Sequence, residues 1–457
     1  MMILTSKKLS VSLGMLISVV SISVFAQQTV SLEQAIALAQ ANDPWLHGSK
    51  LQQSAIQNKA IASSTQPDPS VSLNMAKIPT DTWNFGQEGK AQITVGLSQM
   101  FARGNELSIN KTKFLTDSTK YPLLREDRKA QLTVIISQLW LDAFQAQKTI
   151  ELINKDKVLF EQMVDIANAS YSSALGKTRQ QDVIRSQLEL IQLDDRLAEQ
   201  QQILEVSIAQ LNEWLHLYNQ EDRDYTINFD QQPLQFLVSN QLPNIQLTNS
   251  SLFKNWNFSR NELAQAISNH PSILAIDVKQ DVATKDIELA EERYKPQWGV
   301  NTSYALGNNA PAGMDKPDSF SIGVTFDLPL FTANKQDKLV AASVAEYEAV
   351  KTEKLLLVKK MISEIEKNIN QLRRLEDRQK IYDQQLLTQT HDQAEASLTA
   401  YTNDDGDFAE VVRARIVELN TRIAAFQINV NALKAVARIN YFFVQAERQL
   451  VTELGEK

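Results

Sequence analysis

Hydrophobic positions recur along this chain with two different periods. Leu132, Ile136, Leu139, Ala143, Ala146, Ile150 and Ile153 alternate steps of four and three. So do Val412, Ile416, Leu419, Ile423, Phe426, Val430, Leu433 and Ala437, and Leu197, Leu204, Ile208, Leu211 and Leu215 share the grid. A sustained seven-residue period predicts long helices packed as coiled coils, with seam alanines allowing close approach. Breakers are scarce where this period runs. Between Gly323 and Gly406 there is no glycine, and no proline follows Pro329. From Gly104 to Gly176 only Pro122 interrupts, and it is expected to kink that run or mark where its regular part begins. A run of ~65 residues would reach roughly 100 Å.

The second period is two. Val71, Leu73 and Met75 alternate with polar neighbours, as do Ile93, Val95 and Leu97 around Thr94, Gly96 and Ser98. Trp298, Val300, Thr302, Tyr304 and Leu306 oppose Gly299, Asn301, Ser303 and Ala305, while Phe320, Ile322, Val324, Phe326 and Leu328 oppose Ser321, Gly323, Thr325 and Asp327. This predicts strands at about 70–77, 91–101, 298–306 and 319–328. An apolar face against small or polar residues is the pattern of a transmembrane β-strand, and also of a soluble hairpin with one buried face.

The breaks between elements repeat. "ANDPWL" and "SNHPSIL" align with Pro44 on Pro271, an offset of 227, which also sets Ala37 on Ala264, Ala39 on Ala266 and Asn42 on Asn269. Phe101 falls on Phe331 (offset 230), Val183 on Val411 (offset 228), and Pro67 near Pro296. Each half therefore reads helix, strand, strand, long helix, turn, helix. His270 corresponds to Asp43 and reads as a helix-boundary residue, with Pro271 starting the next helix. At the turns, Gly176 ends one helix, and Thr178 with Gln181 forms a candidate capping box for the next. Gly406, then Asp407 as N-cap with Glu410 three residues on, repeats the arrangement. The organisation expected is a leader at 1–26, a first repeat at 27–217, a polar connector at 218–257, a second repeat at 258–446 and a tail at 447–457. Four strands cannot close a barrel, and membrane β-structure tolerates no open edge, so membrane strands here would require several chains: two give eight, three give twelve.

Composition narrows the setting. Of 457 residues, 43% are hydrophobic and 22% charged, ordinary for a folded protein. A formal charge of −8 argues against a nucleic acid partner. Lys7 and Lys8 precede the apolar stretch Leu9 to Val20, and Val24 and Ala26 occupy small-residue cleavage positions, so the chain reads as exported with cleavage after Ala26. Cysteine is absent, which excludes disulfides, thiolate metal sites and a lipid-bearing Cys. His47, His216, His270 and His391 are scattered, and no nucleophile motif or phosphate loop stands out. Neither an enzyme nor a cofactor or metal site is expected.

The segments "SLEQAIALAQANDP", "NELAQAISNHPSIL", "AEERYKPQWGVNTSYA", "QMFARGNEL", "LPLFTANK" and "YTNDDGDFAEVVRAR" together resemble the TolC-like outer-membrane efflux factor family. The resemblance implies a mainly α protein with a transmembrane β part: a homotrimer with a twelve-stranded barrel among outer-membrane lipids and a long α-helical tunnel in the periplasm. It implies a periplasmic adaptor protein and an inner-membrane pump, of the RND type, as partners. The family closes its periplasmic end with acidic rings. Glu410 matches the first acid, but the second position is Arg413, and the first half gives Asp182 and Arg185. Tyr401 matches an aromatic that links helix pairs, and the turn glycine is displaced, with Asp404 and Asp405 ahead of Gly406 and Asp407. Acids alternating with arginines can pair instead of forming a bare anionic ring; they can equally be caps and solvated charges. Gly176, Lys177, Thr178 and Gly406 mark the turns expected to contact the adaptor. "GDFAEVVRARIVELNTRI" is similar to outer-membrane components of heavy-metal efflux, which makes metal ions one possible cargo. A non-pore coiled-coil adaptor and a type I protein-secretion channel are the competing readings.

Overall fold

Each repeat starts with helix caps that the sequence writes twice. After β1 (Gln28–Val30), helix α1 (Leu32–Asn42) opens on a reciprocal cap in which Ser31 Oγ accepts from Gln34 N and Gln34 Oε1 accepts from Ser31 N. Asp43 then ends α1 and caps α2 (Pro44–Ser63), accepting from Trp45 N, with Pro44 at a position that needs no N–H. Strands β2 (Ser70–Ala76) and β3 (Gln92–Met100) follow, then α3 (Glu106–Ser118), α4 (Lys120–Ser172) and α5 (Gln180–Leu215). The connector contributes β4 (Phe236–Val238) and α6 (Ser250–Phe253). In the second repeat α7 (Arg260–Ile267) carries the same reciprocal cap through Ser259 and Glu262, and His270 caps α8 (Pro271–Glu292). Then come β5 (Trp298–Gly307), β6 (Ser319–Phe326), α9 (Gln336–Ile381), a π-helical turn at Tyr382–Leu386, α10 (Leu387–Thr402) and α11 (Phe408–Phe442). This computed structural model describes residues 28–83, 91–173, 178–215, 236–253, 258–307, 317–403 and 405–446. The leader at 1–26, the tail at 447–457, much of the connector, Gly176, Lys177 and Asp404 lie outside the described residues.

The first long run is two helices. Pro122 lacks the N–H that would bond Ser118, so the break falls at Thr119 and Pro122 sits buried in the first turn of α4. The second long run continues through the π-helical turn, where no glycine or proline marks the change.

The strands form one open antiparallel sheet in the order β2-β3-β5-β6. The register puts Leu73, Val95, Tyr304 and Phe320 in one row and Ser72, Gly96, Ser303 and Ser321 in the adjacent row, on the opposite face. The apolar face is bare in the single chain: Val71 is 74% exposed and Ile322 71%. The opposite face carries no charge within the strands. Where they meet the helices, Arg103 pairs with Asp327, joining the two strand exits. Gly104 turns the chain there with φ of +40°, and a Cβ would sit 2.0 Å from Glu292 Oε2. The left-handed φ favours glycine at that bend.

The seam residues are the helical core. Leu132, Ile136, Ala143 and Ile153 of α4 and Leu419 and Val430 of α11 are at most 1% exposed. A small parallel sheet, β1 with β4, lies over α4, where Trp140 Nε1 donates to Val30 O at 3.0 Å and stacks on Phe144. Leu263 and Ile267 of α7 pack likewise on α9 and α11. Among the described residues no helix is long and apolar enough to cross a membrane, a test that does not address strands.

Candidate functional site: the helix turns and the charged layer above them

The far ends of the two helical hairpins meet in one apolar cluster. Phe160, Met163 and Ala167 of α4 and Leu193 of α5 pack with Phe408, Val411 and Val412 of α11. Tyr401 packs against this cluster from the end of α10, its ring edge-on to Phe408 at 5.4 Å. Gly406 makes the α10–α11 turn possible: a Cβ there would lie 2.6 Å from Tyr401 N, against backbone that has no room to give. Asp405 N donates to Ala400 O and Asp407 caps α11 through Ala409 N at 3.1 Å.

The gate candidates divide by role. Asp182 is buried and its carboxylate accepts from Arg179 N at 2.9 Å, so it is the helix-start acid of α5. The cap therefore sits one residue later than Thr178 and Gln181 suggest, with Arg179 at the boundary. Thr178 instead donates to Ser170 Oγ at 2.8 Å, bridging the α4–α5 hairpin. Arg185 is exposed. Glu410 and Arg413 pair with each other along α11 and both remain partly exposed. Glu410 is thus not the returning half of a capping box. Asp405 and Asp407 are exposed at the turn.

A second charged layer lies farther from the turn and was not visible as a unit in the sequence. Glu418, 9% exposed, accepts from His391 Nδ1 at 2.8 Å and from Arg415 at 2.9 Å, and Arg415 also reaches Glu395 at 2.7 Å. Burial pushes the Glu418 carboxyl up, but its bonds and charges with His391 and Arg415 outweigh that and hold it below the usual range. The Glu418 hydrogen bond holds His391 above its ordinary value. Arg422 with Asp156 and Arg196 with Asn420 continue the layer to α4 and α5. The spacings 391/395 and 415/418 each predict a shared helix face. Their meeting depends on the turn.

At the opposite end of α11, Tyr441 donates to Asp127 at 2.8 Å, Gln131 donates to the other carboxylate oxygen, and His270 Nε2 lies 3.0 Å from Tyr441 O. Desolvation lowers His270 and raises Asp127. Among the described residues no group of three or more His, Asp or Glu could hold a metal ion.

The outer membrane efflux protein family matches residues 263–441, nearly the whole second repeat. The second repeat is thus similar to outer membrane efflux proteins. A membrane protein from Pseudomonas aeruginosa has the same fold at 14% identity, with a TM-score of 0.73 over 93% of each chain. The Campylobacter jejuni CmeC outer membrane channel matches at 14% identity and 0.70, covering 93% of this chain and 89% of that one. The CusC transmembrane channel matches at 12% and 0.69, covering 91% and 92%. No curated protein sequence matches. At these identities the likeness shows that the chain shares the fold of these proteins over nearly its whole length.

Proposed function

We propose that three copies of this chain close a twelve-stranded barrel and a continuous helical tunnel, through which a periplasmic adaptor and an inner-membrane pump discharge cargo. The observation that carries the reading is the open sheet. Its free edges, β2 and β6, run in opposite directions, so the edge of one copy extends the next antiparallel, with every apolar row facing lipid. Below the sheet, exposed apolar residues on α2 and α9 (Leu51 and Ile61; Leu355 and Leu356) provide side-by-side contacts between copies. Reconstitution into planar bilayers tests this: a trimer should conduct, and a monomeric chain without conductance overturns it.

Within that assembly we assign the periplasmic constriction to Asp182, Arg185, Tyr401, Asp404, Asp405, Asp407, Glu410 and Arg413, and adaptor contact to Gly176, Lys177, Thr178 and Gly406. The Glu410–Arg413 pair supports a paired-charge constriction in place of a bare anionic ring. Metal ions are the cargo favoured by the segment from Gly406 to Ile423. Deleting the gene should then raise sensitivity to metal salts; sensitivity to organic toxicants alone overturns the metal assignment and leaves the channel standing.

A further inference from the structure

Helix α11 packs on the long helices of both repeats. Ala435 and Ile439 lie in the core of their own repeat, against Ile365 and Leu372 of α9. The other side of α11 crosses to the first repeat: Lys434 pairs with Asp142 of α4, Arg438 donates to Gln138 at 2.7 Å, and Arg422 pairs with Asp156 at 3.1 Å. Its counterpart α5 repeats the contact within its own repeat, where Leu193 and Leu197 pack with Phe160 and Met163 of α4. The face that would repeat the crossing contact is bare.

The duplication lets these faces be matched residue by residue. Helices α5 and α11 correspond at an offset of 228. Helices α4 and α9 correspond at 229, which sets Leu132, Ile136, Ala143 and Ala146 on Met361, Ile365, Leu372 and Leu375, all of them buried. The stripe of α11 turned to α4 includes Val412, Ile416, Leu419, Gln427, Asn431 and Lys434, and none of these is exposed. Their counterparts on α5 are Ile184, Leu188, Ile191, Glu199, Ile203 and Val206, and every one is exposed. Val412 is 1% exposed and Ile184 57%; Leu419 is 0% and Ile191 65%. The long helices show the same contrast. Gln138, Asp142 and Asp156 share a stripe of α4, in steps of four and three, that has no exposed member. The matching stripe from α9 into the π-helical turn is Lys367, Gln371, Arg374, Arg378, Ile381 and Gln385, all exposed.

We infer that the exposed face of α5 docks on α9 of a neighbouring copy, repeating between chains the junction that α11 and α4 make within one. The inference rests on the assembly proposed above and names the faces that join it. Register and charge agree. Carried across by the two offsets, the Arg438–Gln138 contact sets Gln210 beside Lys367 of the neighbouring copy, and Arg422–Asp156 sets Asp194 beside Gln385. Between these points Glu199 comes level with Arg378. Neither has a partner of opposite charge among the described residues, whereas Arg374 pairs with Asp377, Lys367 with Glu364 and Asp194 with Lys157. The flanking charges mostly keep the same signs: Asp195 and Glu205 on α5, Arg373 and Lys380 on α9, with Glu376 and Asp383 as the acids among the latter. Arg196 of α5 is turned to Asn420 of its own chain. Apolar residues at the centre of such a seam supply the burial, and opposite charges fix the register.

The chain contains no cysteine, so a pair can be introduced cleanly. The full chain carrying Glu199→Cys and Arg378→Cys, treated in detergent with a short bis-maleimide, should run as a covalent trimer on a denaturing gel. Either substitution alone should leave monomers, as should Glu199→Cys with Lys360→Cys, which lies roughly 27 Å along α9 from Arg378. Glu199→Arg and Arg378→Glu should each lower the temperature at which the trimer dissociates, and the two together should restore it. A trimer by light scattering that gives no covalent product overturns the inference and leaves the channel reading standing, with the α5 face then open to a different protein. A double charge reversal that restores nothing overturns the pairing of Glu199 with Arg378. Covalent trimers that fail to conduct in planar bilayers remove the channel reading alone.

Discussion

The two repeats agree in their strands and diverge where helices pack on helices. Val95 of β3 and Val324 of β6 stand 229 positions apart on the same apolar face, with Gly96 and Thr325 turned the other way. Both hairpins obey one constraint, an apolar face on one side and small or polar groups on the other. The junction between each pair of opening helices obeys no such common rule. In the first repeat Asp43 caps α2 and pairs with Arg128 at 2.8 Å. In the second, the same cap is His270, fully buried and neutralised by its surroundings. The reason lies on the long helices: at the repeat offset from Arg128, α9 carries Leu355, Leu356, Leu357 and Val358, so a carboxylate at 270 would have no cation. A duplicated backbone feature has been kept with two different electrostatic solutions.

The largest effect should come from challenging the agreement. Val95→Lys and Val324→Lys should each cost about 2–4 kcal/mol of barrel stability if both lie near mid-membrane, read from denaturant unfolding in lipid vesicles, and Thr94→Lys far less. Unequal penalties for the two valines would break the equivalence of the hairpins. Next is the junction: His270→Asp should destabilise by about 2 kcal/mol or more, because it buries a charge beside Asp127. Thermal melts check it, and a stability unchanged by the substitution would mean the caps are interchangeable.

Two histidines in the second repeat should then separate by the sign of their pH response. His391 is raised in the folded chain, so what it contributes is complete below its unfolded pKa near 6.5 and is lost as pH rises through the folded value. His270 is lowered, so its contribution is present above 6.5 and is lost as pH falls. Melts of His391→Gln and His270→Asn between about pH 5 and 8 should flatten opposite limbs of the profile. The smallest stability effect belongs to the turn. Glu410→Ala with Arg413→Ala removes a partly exposed pair and should scarcely change the melt, yet it should raise single-channel conductance if the pair closes the tunnel.

Local periodicity and breakers made much of this architecture legible. The strand alternation, the duplicated Asn-x-Pro junction and the helix stop at Gly406 are written within a few residues of where they act. The sheet of β1 and β4 is three residues on each side, too short to display a period, and it pairs Val30 with Val238 across the whole first repeat. The π-helical turn at Tyr382–Leu386 has no breaker to announce it. Among the site residues, the resemblance singled out Asp182 and Glu410 with an arginine three residues on; Glu410 does pair with Arg413, whereas Asp182 accepts from Arg179 N. The bond from Arg179 N to Asp182 follows from α5 starting one residue later than Thr178 and Gln181 suggest. The layer of His391, Glu395, Arg415 and Glu418 needs the relative register of α10 and α11, which Gly406 fixes and no spacing reveals.

The open sheet has a genetic corollary. Each chain in the proposed trimer offers one edge and accepts another, so a ring has no spare seam. A chain with a spoiled β6 edge, made alongside normal copies in equal amount, would leave only roughly one assembly in eight free of it if mixing is random. Loss of function at that edge should therefore behave as dominant, whereas a chain too damaged to fold at all would be recessive.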